Sequence, residues 1–240
     1  MRYLIHGATG RMGRMMLQTL ADKRPGAEIC EVALDGTYTR LSDVPGKVDC
    51  IIDFSNHAAT KELTAYAASV GAPLVIATTG HTDEELSAIH AAAEKIPVFL
   101  SYNYSIGIAL LVSMARKAAQ AMGDAEVEIV EIHHDKKLDV PSGTALTLAK
   151  AVQEVRPAAN IVTGRHEYGK RTREEIGIHS LRMGNVVGVH EVHLCTPAQT
   201  LVLRHEAHDR SIFSEGALAA ADFLMGKAAG LYGMTDMLEG

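Results

Sequence analysis

Tyr3-Leu4-Ile5-His6-Gly7-Ala8-Thr9-Gly10-Arg11-Met12-Gly13 lies at the start of a chain of 240 residues and sets the architecture of its first half. Tyr3-Leu4-Ile5 is a short apolar run that reads as a strand, and Met15, Met16, Thr19 and Leu20 carry a helical repeat behind the glycines. Strand, glycine turn and helix, in that order, let the backbone approach an anion at a helix N-terminus, as in pyrophosphate binding by dinucleotide folds. The spacing is GxxGxxG, a variant of the commoner GxGxxG, and glycines alone also serve plain tight turns. The next segment weighs on the side of a dinucleotide. Residues 28–34 read as a second strand ending at Asp35, 22 positions after Gly13, where a ribose-binding carboxylate is expected.

The alternation continues. A third strand over 48–54 is apolar enough to be buried on both faces, and a helix follows from about 57 to 70. A fourth strand over 73–77 leads into Thr78-Thr79-Gly80. Thr82-Asp83-Glu84-Glu85 is a capping box that opens the next helix, and 97–100 form a fifth strand. This rhythm predicts an α/β fold with a doubly wound parallel Rossmann sheet, whose ligands bind beyond the C-terminal strand ends. Those ends carry Gly7, Asp35, Phe54-Ser55, Thr78-Thr79 and Ser101-Tyr102-Asn103-Tyr104. From the residues alone, ordinary loop polarity accounts for the threonines and tyrosines equally well.

From about residue 106 the pattern changes. One long helix, to about 122, leads to a strand rich in β-branched residues over 127–132, and then to Glu131-Ile132-His133-His134-Asp135-Lys136-Lys137-Leu138-Asp139-Val140-Pro141-Ser142-Gly143-Thr144-Ala145. Leu148, Ala149, Val152 and Val155 give the following segment an amphipathic helical face; Ser142 can cap that helix, and Pro141 rules out earlier helical turns. Two histidines, two lysines and two aspartates thus sit on a loop between a strand and a helix N-terminus, a place that favours anions. A polar, glycine-rich loop over 164–171 is expected to be mobile. Candidate strands over 176–181, 186–194 and 201–207 have no helix between them, which predicts a second, α+β domain with a mainly antiparallel or mixed sheet. A sheet with mixed charged and apolar faces suits a subunit interface. An alanine-rich helix over 213–225 and a docked tail over 231–238 could return to cover the first sheet. The domain reading is therefore 1–104, completed by 213–240, for the dinucleotide, and 105–212 for substrate binding and oligomerisation.

Composition narrows the function classes. A hydrophobic fraction of 47% supports a sizeable core, and a net charge of -6 without a basic block disfavours nucleic acid or an anionic membrane as partner. The three cysteines, Cys30, Cys50 and Cys195, are widely spaced and form no CxxC, as expected for free thiols in a cytoplasmic protein. The chain starts directly on a strand, so no signal peptide is expected, and no apolar run is long enough to span a bilayer.

The chemistry concentrates on 131–145. His133 and His134 lack an HExxH spacing or nearby cysteine, so no metal is expected. No GxSxG elbow supports a nucleophilic triad. The functional reading is acid–base work by a histidine, with a lysine to place an anion; the alternative is a solvated charged loop. The helix N-terminus at Ser142-Gly143-Thr144 favours the first. His190, His193, His205 and His208 have no such context and read as surface or interface residues.

Glu131-x-His133-His134-x-x-Lys137-x-Asp139-x-Pro141-Ser142-Gly143-Thr144-Ala145 resembles the signature of the 4-hydroxy-tetrahydrodipicolinate (dihydrodipicolinate) reductase family of the diaminopimelate and lysine pathway. Gly7-x-x-Gly10-Arg11-Met12-Gly13, Asp53-Phe54-Ser55, Thr78-Thr79-Gly80, Glu175-Ile176-Gly177, Arg182-x-Gly184 and Phe213-x-x-Gly216-Ala217 resemble the family too, in the same order, over essentially the whole chain. The resemblance implies NAD(P)H-dependent reduction of the cyclic product of aspartate semialdehyde and pyruvate, with loss of water, to tetrahydrodipicolinate. It implies His133 as proton donor and Lys137 as second acid. It implies His134, Gly143 and Thr144 as binders of the dicarboxylate. Cofactor contacts fall on Gly7, Ala8, Thr9, Gly10, Arg11, Met12, Asp35, Ala77, Thr78, Thr79, Ser101, Tyr102, Asn103 and Tyr104. It also implies a homotetramer. A cofactor on one domain and acids on the other lead to an expectation of interdomain closure.

Two departures bear on the cofactor. Ala77 stands where many family members have glycine, and Asp35 is followed by Gly36 rather than by arginine. A carboxylate there suits the free ribose hydroxyls of NADH and repels a 2′-phosphate, although Arg11, Arg14 or Arg40 could hold one; NADH is expected to be preferred or equal. Two further readings stay open: another two-domain dehydrogenase of amino-acid metabolism, and a non-catalytic dinucleotide-binding sensor.

Overall fold

The computed structural model describes residues 1–166 and 168–239; Glu167, in the expected 164–171 loop, and Gly240 lie outside the described residues. In chain order the elements are β1 (Arg2–His6), α1 (Arg11–Lys23), β2 (Glu28–Val32), β3 (Cys50–Asp53), α2 (Thr60–Val70), β4 (Leu74–Ile76), α3 (Asp83–Ala93) and β5 (Pro97–Leu100). Then come α4 (Ile106–Ala121), β6 (Glu126–His133), α5 (Gly143–Val155), β7 (Asn160–Thr163), β8 (Glu175–Arg182), β9 (Gly188–Thr196) and β10 (Gln199–Ala207). The last elements are α6 (Ser211–Leu224), β11 (Gly230–Tyr232) and α7 (Met234–Glu239). The chain divides into two compact units, Met1–Ser105 together with the segment from Ser211 onward, and Ile106–Arg210. No helix among the described residues is long and apolar enough to cross a membrane.

The first unit is a parallel sheet in the order β11-β5-β4-β3-β1-β2. Side chains alternate across a strand, and the alternation sorts its core into two layers. Tyr3, Ile5, Cys50, Ile52, Val75 and Phe99 pack with Met16 and Leu20 of α1 and with Ala217, Ala220, Ala221 and Leu224 of α6. Leu4, Cys30, Val32, Ile51, Leu74, Ile76 and Val98 pack on the other face with Leu63 and Ala67 of α2 and Ile89 and Ala92 of α3. Small residues let α6 come close: a Cβ on Gly216 would lie 1.7 Å from the Tyr104 carbonyl oxygen. A buried hydroxyl pair, Thr19 Oγ1 and Ser214 Oγ at 2.7 Å, joins α1 to α6. The expected capping box is complete, with Thr82 Oγ1 accepting from the Glu85 N–H and Glu85 accepting from the Thr82 N–H.

The second strand ends at Val32, not at Leu34, because the backbone turns at Ala33: the Gly36 N–H bonds back to the Ala33 carbonyl at 3.1 Å, which leaves Asp35 in the turn beyond the strand. The sheet has a sixth strand, β11, which no sequence pattern marked. In the second unit a short strand, β7, lies outside the candidate strands of the sequence.

The second unit is a sheet in the order β10-β9-β6-β8-β7, with α4 and α5 packed on one face. It is mixed, not mainly antiparallel: β6–β9 and β9–β10 are antiparallel, while β6–β8 and β7–β8 are parallel. The reason is the crossover. α5 returns the chain so that β7 runs with β6, a second return after β7 sets β8 in the same direction, and β9 alone runs against the other four strands. Arg156, just beyond α5, donates to the carbonyls of Ala119, Met122 and Ala125, tying the end of α5 to the last turn of α4 and to the turn before β6.

Candidate active site

In the first unit, β1 runs into Gly7, whose φ of +79° is the left-handed conformation that glycine adopts without strain. Its N–H donates to the Val32 carbonyl at 2.8 Å, and the Gly10 N–H donates to the Gly7 carbonyl at 3.1 Å. A Cβ on Gly7 would lie 2.7 Å from the Phe54 carbonyl oxygen, and one on Gly13 would lie 2.1 Å from the Gly7 carbonyl oxygen. The glycines thus let three backbone segments converge at the start of α1. That helix has Gly10 as N-cap, no side-chain cap and no acidic residue in its first turn. A cradle of this kind fits a dinucleotide pyrophosphate.

Around it, Thr9 Oγ1 donates to Asp35 Oδ1 at 2.5 Å and Arg14 Nε donates to the Thr9 carbonyl at 2.9 Å. Ala8 is buried, whereas Arg11, Asp35, Arg40, Thr79 and Tyr102 are exposed. Asp53, at the end of β3, is a buried hub that the sequence reading assigned no role. Its carboxylate lies 2.9 Å from His6 Nδ1 and accepts from the Ser55 hydroxyl at 2.6 Å and the Thr78 hydroxyl at 2.5 Å. It therefore fixes Thr78 at the end of β4, and the Ala77 N–H is held on the Asp53 carbonyl at 3.0 Å. Ser101 Oγ donates to the Asn103 carbonyl at 2.8 Å. Tyr104 is turned away from this surface: its hydroxyl donates to the Ile76 carbonyl at 2.7 Å, and its ring is buried against Phe99.

The second unit places its polar groups by strand parity. Along β6 the residues Val127, Ile129, Glu131 and His133 share the buried face. Register sets His133 opposite Arg182 of β8 and Glu131 opposite His190 of β9. Glu131 is fully buried and accepts four bonds. Oε2 takes His133 Nδ1 at 2.5 Å and Arg182 Nη1 at 2.9 Å; Oε1 takes Arg182 Nη2 at 2.8 Å and the Ser142 N–H at 3.1 Å. Burial works against the charge, but Arg182, His133 and Ser142 overcome it and hold the carboxyl down at about 2.

His133 therefore carries its resting proton on Nδ1, toward the carboxylate, and Nε2 is left for exchange. Gly188 borders that nitrogen: a Cβ there would sit 3.1 Å from Nε2. Burial pushes the imidazole below its ordinary value, and Glu131 opposes this. Lys137 Nζ lies 2.8 Å from Asp139 Oδ1, and this ammonium holds the Asp139 carboxyl below the usual range, with the Gly143 N–H helping. One carboxylate thus already rests on Lys137 and the start of α5. Ser142 Oγ caps α5 by accepting from the Ala145 N–H at 3.2 Å, and a Cβ on Gly143 would meet nothing within 4 Å. Arg210 Nη2 approaches His134 Nε2 at 3.4 Å, and His134 Nδ1 has no partner among the described residues.

His190 is no surface residue. It is buried, its ring stands edge-on to His133 with centroids 5.1 Å apart, and its Nε2 lies 3.2 Å from Ser142 Oγ. Burial, then the neighbouring His133, push it down to about 3, so it stays neutral. The signal was present in the sequence: His190 shares parity with Val192 and Leu194 on β9, the buried face. The structure thus groups His133 with Glu131, Arg182, His190 and Ser142, and brings Lys137 to Asp139.

Comparison with known proteins follows the same two halves. Residues 1–104 match the family model "Dihydrodipicolinate reductase, N-terminus", and residues 107–238 match "Dihydrodipicolinate reductase, C-terminus". The chain belongs to the dihydrodipicolinate reductase family. It is 40% identical over 247 residues to the 4-hydroxy-tetrahydrodipicolinate reductase of Caldanaerobacter subterraneus subsp. tengcongensis, covering 99% of this chain and 98% of the relative. It is 41% identical over 240 residues to the enzyme of that name from Akkermansia muciniphila, covering 98% and 96%. A dipicolinate-bound dihydrodipicolinate reductase from a Paenisporosarcina species superposes with a TM-score of 0.80 at 27% identity, covering 98% of each chain. A probable dehydrogenase from Thermotoga maritima, at 9% identity and a TM-score of 0.61, shares the fold. As a dihydrodipicolinate reductase family member, the chain is an oxidoreductase that uses a nicotinamide dinucleotide, and the glycine cradle at α1 fits that cofactor.

Proposed function

We propose that this protein reduces 4-hydroxy-tetrahydrodipicolinate to tetrahydrodipicolinate in diaminopimelate and lysine biosynthesis. Water is lost, and one hydride and one proton are added. The nicotinamide supplies the hydride. His133 supplies the proton from Nε2, and the observation that carries this role is its Nδ1–Glu131 bond, which leaves Nε2 as the exchangeable atom. Buried and mostly neutral in the free protein, His133 gains a proton more readily when a dianionic substrate arrives, because nearby negative charge favours the imidazolium.

Lys137, His134 and the Gly143-Thr144 start of α5 hold the two substrate carboxylates. The Asp139 carboxylate on Lys137 and Gly143 supports this reading, since the same donors suit a carboxylate of the substrate. In the first unit, residues 7–12 hold the pyrophosphate, Asp35 takes ribose hydroxyls, and Ala77, Thr78, Thr79 and residues 101–104 line the remainder. With Tyr104 turned inward, its contribution is to anchor the loop. The exposed Asp35 carboxylate favours NADH over a cofactor bearing a 2′-phosphate. The working form is a homotetramer of the cytoplasm, with the second unit supplying substrate binding and subunit contacts.

The test is a coupled assay. A separate synthase generates the unstable substrate from aspartate semialdehyde and pyruvate, and NADH or NADPH absorbance is followed. Oxidation that requires both the synthase and this protein is the expected result. Protein that binds NADH but oxidises neither cofactor would turn the reading toward another dehydrogenase or a dinucleotide-binding sensor.

A further inference from the structure

His133 is surrounded by groups from every neighbouring element. Glu131 comes from its own strand, Arg182 from β8, and His190 and Gly188 from β9; Lys137 lies on the following loop, and His205 of β10 stands across from His190. Among these, Glu131 alone is bonded both to the imidazole and to the backbone of the helix cap. Its two oxygens point in two functional directions: Oε2 to His133 Nδ1, and Oε1 to the N–H of Ser142, the N-cap of α5. Arg182 grips both oxygens and anchors itself on the Asp139 carbonyl at 2.7 Å. The carboxylate therefore cannot rotate toward one partner without loosening the other.

We infer that Glu131, clamped by Arg182, is a positioning residue that fixes the tautomer of His133 and registers its Nε2 against the α5 N-terminus, where the substrate carboxylate is proposed to bind. The inference rests on His133 being the proton donor. A glutamine at 131 has the same shape but only one acceptor oxygen, and its amide donates toward groups that are donors themselves. Loss of the negative charge also removes a force that favours the imidazolium. Activity carried by protonated His133 must then decline from a lower pH upward.

The experiment uses the full-length protein with NADH bound. In Glu131→Gln, kcat/KM falls about 10–100-fold, by analogy with the loss of a group that orients a metal-bound histidine, and the high-pH decline of the rate moves to lower pH. Imidazole nitrogen NMR, with the His133 signals assigned by difference from His133→Gln, shows Nδ1 protonated in the native protein and a changed tautomer ratio in Glu131→Gln. NADH affinity stays at the native value. A folded Glu131→Gln protein with the native tautomer and the native pH decline overturns the inference. If Glu131→Gln does not fold, Arg182→Lys keeps both charges while removing the fork that fixes the carboxylate; it must change the His133 tautomer ratio, and a native ratio overturns the inference. The NMR signal does not depend on turnover, so a tautomer change in Glu131→Gln alongside full activity in His133→Gln supports the positioning geometry and removes the proton-donor role instead.

Discussion

Gly13→Ala gives a sharp test of the cradle at α1, because two effects of opposite sign compete. In an exposed helix interior, alanine is more favourable than glycine by about 1 kcal/mol. Here the new Cβ would lie 2.1 Å from the Gly7 carbonyl oxygen and 2.7 Å from the Ala8 carbonyl carbon and Cα. Every one of these neighbours is backbone, so no side chain can swing aside. Relief requires α1 to move from the Gly7–Ala8 turn by about 1.4 Å, since non-bonded heavy atoms settle near 3.5 Å or beyond. Overpacking of this kind costs about 1–3 kcal/mol, which exceeds the helix gain over most of its range. The net loss of up to about 2 kcal/mol lowers the thermal unfolding midpoint by up to about 8 °C, at about 2–4 °C per kcal/mol for a chain of this size. The same movement shifts the first-turn N–H groups, so NADH affinity, read by fluorescence titration, weakens by about tenfold or more, a difference of about 1.4 kcal/mol. Gly123→Ala is the control, because a Cβ there meets nothing within 4 Å. A Gly13→Ala protein as stable as the native one, with native NADH affinity, would refute the argument that close backbone approach defines this site.

Three further outcomes are expected. Asp35→Asn removes the charge that opposes a 2′-phosphate, so the ratio of kcat/KM for NADPH to that for NADH should rise; an unchanged ratio would take Asp35 out of cofactor selection. Lys137→Ala should lower kcat and raise KM together, because the ammonium is proposed to act on the substrate carboxylate and as second acid; an unchanged KM would remove it from the carboxylate site. Glu131 has a folded-state pKa of about 2, below its unfolded value, so the stability it contributes is fully present above the unfolded pKa and is lost as pH falls from about 4.5 toward 2. Acid unfolding followed by circular dichroism should therefore show a component in that window that is absent in Glu131→Gln.

The parts of the fold written into local pattern were legible in the sequence. The Gly7–Gly13 turn, the capping box at Thr82 and Glu85, β5 and the capped start of α5 all depend on neighbours within a few residues. What was not legible depends on distant partners. β11 has only three residues and exists because it pairs with β5, and β7 lies at a sheet edge where its residues stay partly exposed. The direction of β8 follows from its pairing between β6 and β7, not from its own residues. Apolar residues continue to Leu34 and so extend the strand reading to Asp35, yet Leu34 is almost fully exposed in the turn. At the site, His133 and Lys137 stood out by type and spacing. Residue type alone puts His190 on the surface, whereas its parity with Val192 and Leu194 points inward, and the Arg182 clamp on Glu131 follows only from the β6–β8 register.

The most direct test of the account is His133→Gln in the coupled assay, with NADH binding measured on the same preparation. Removal of a positioned proton donor predicts a kcat about 100–10,000-fold lower, while NADH affinity stays native because residues 7–13 and Asp35 are untouched. A His133→Gln protein that turns over at the native rate would contradict the assignment of His133 as the proton donor, and with it the reading of the Glu131–Arg182–His190 cluster as the reaction centre.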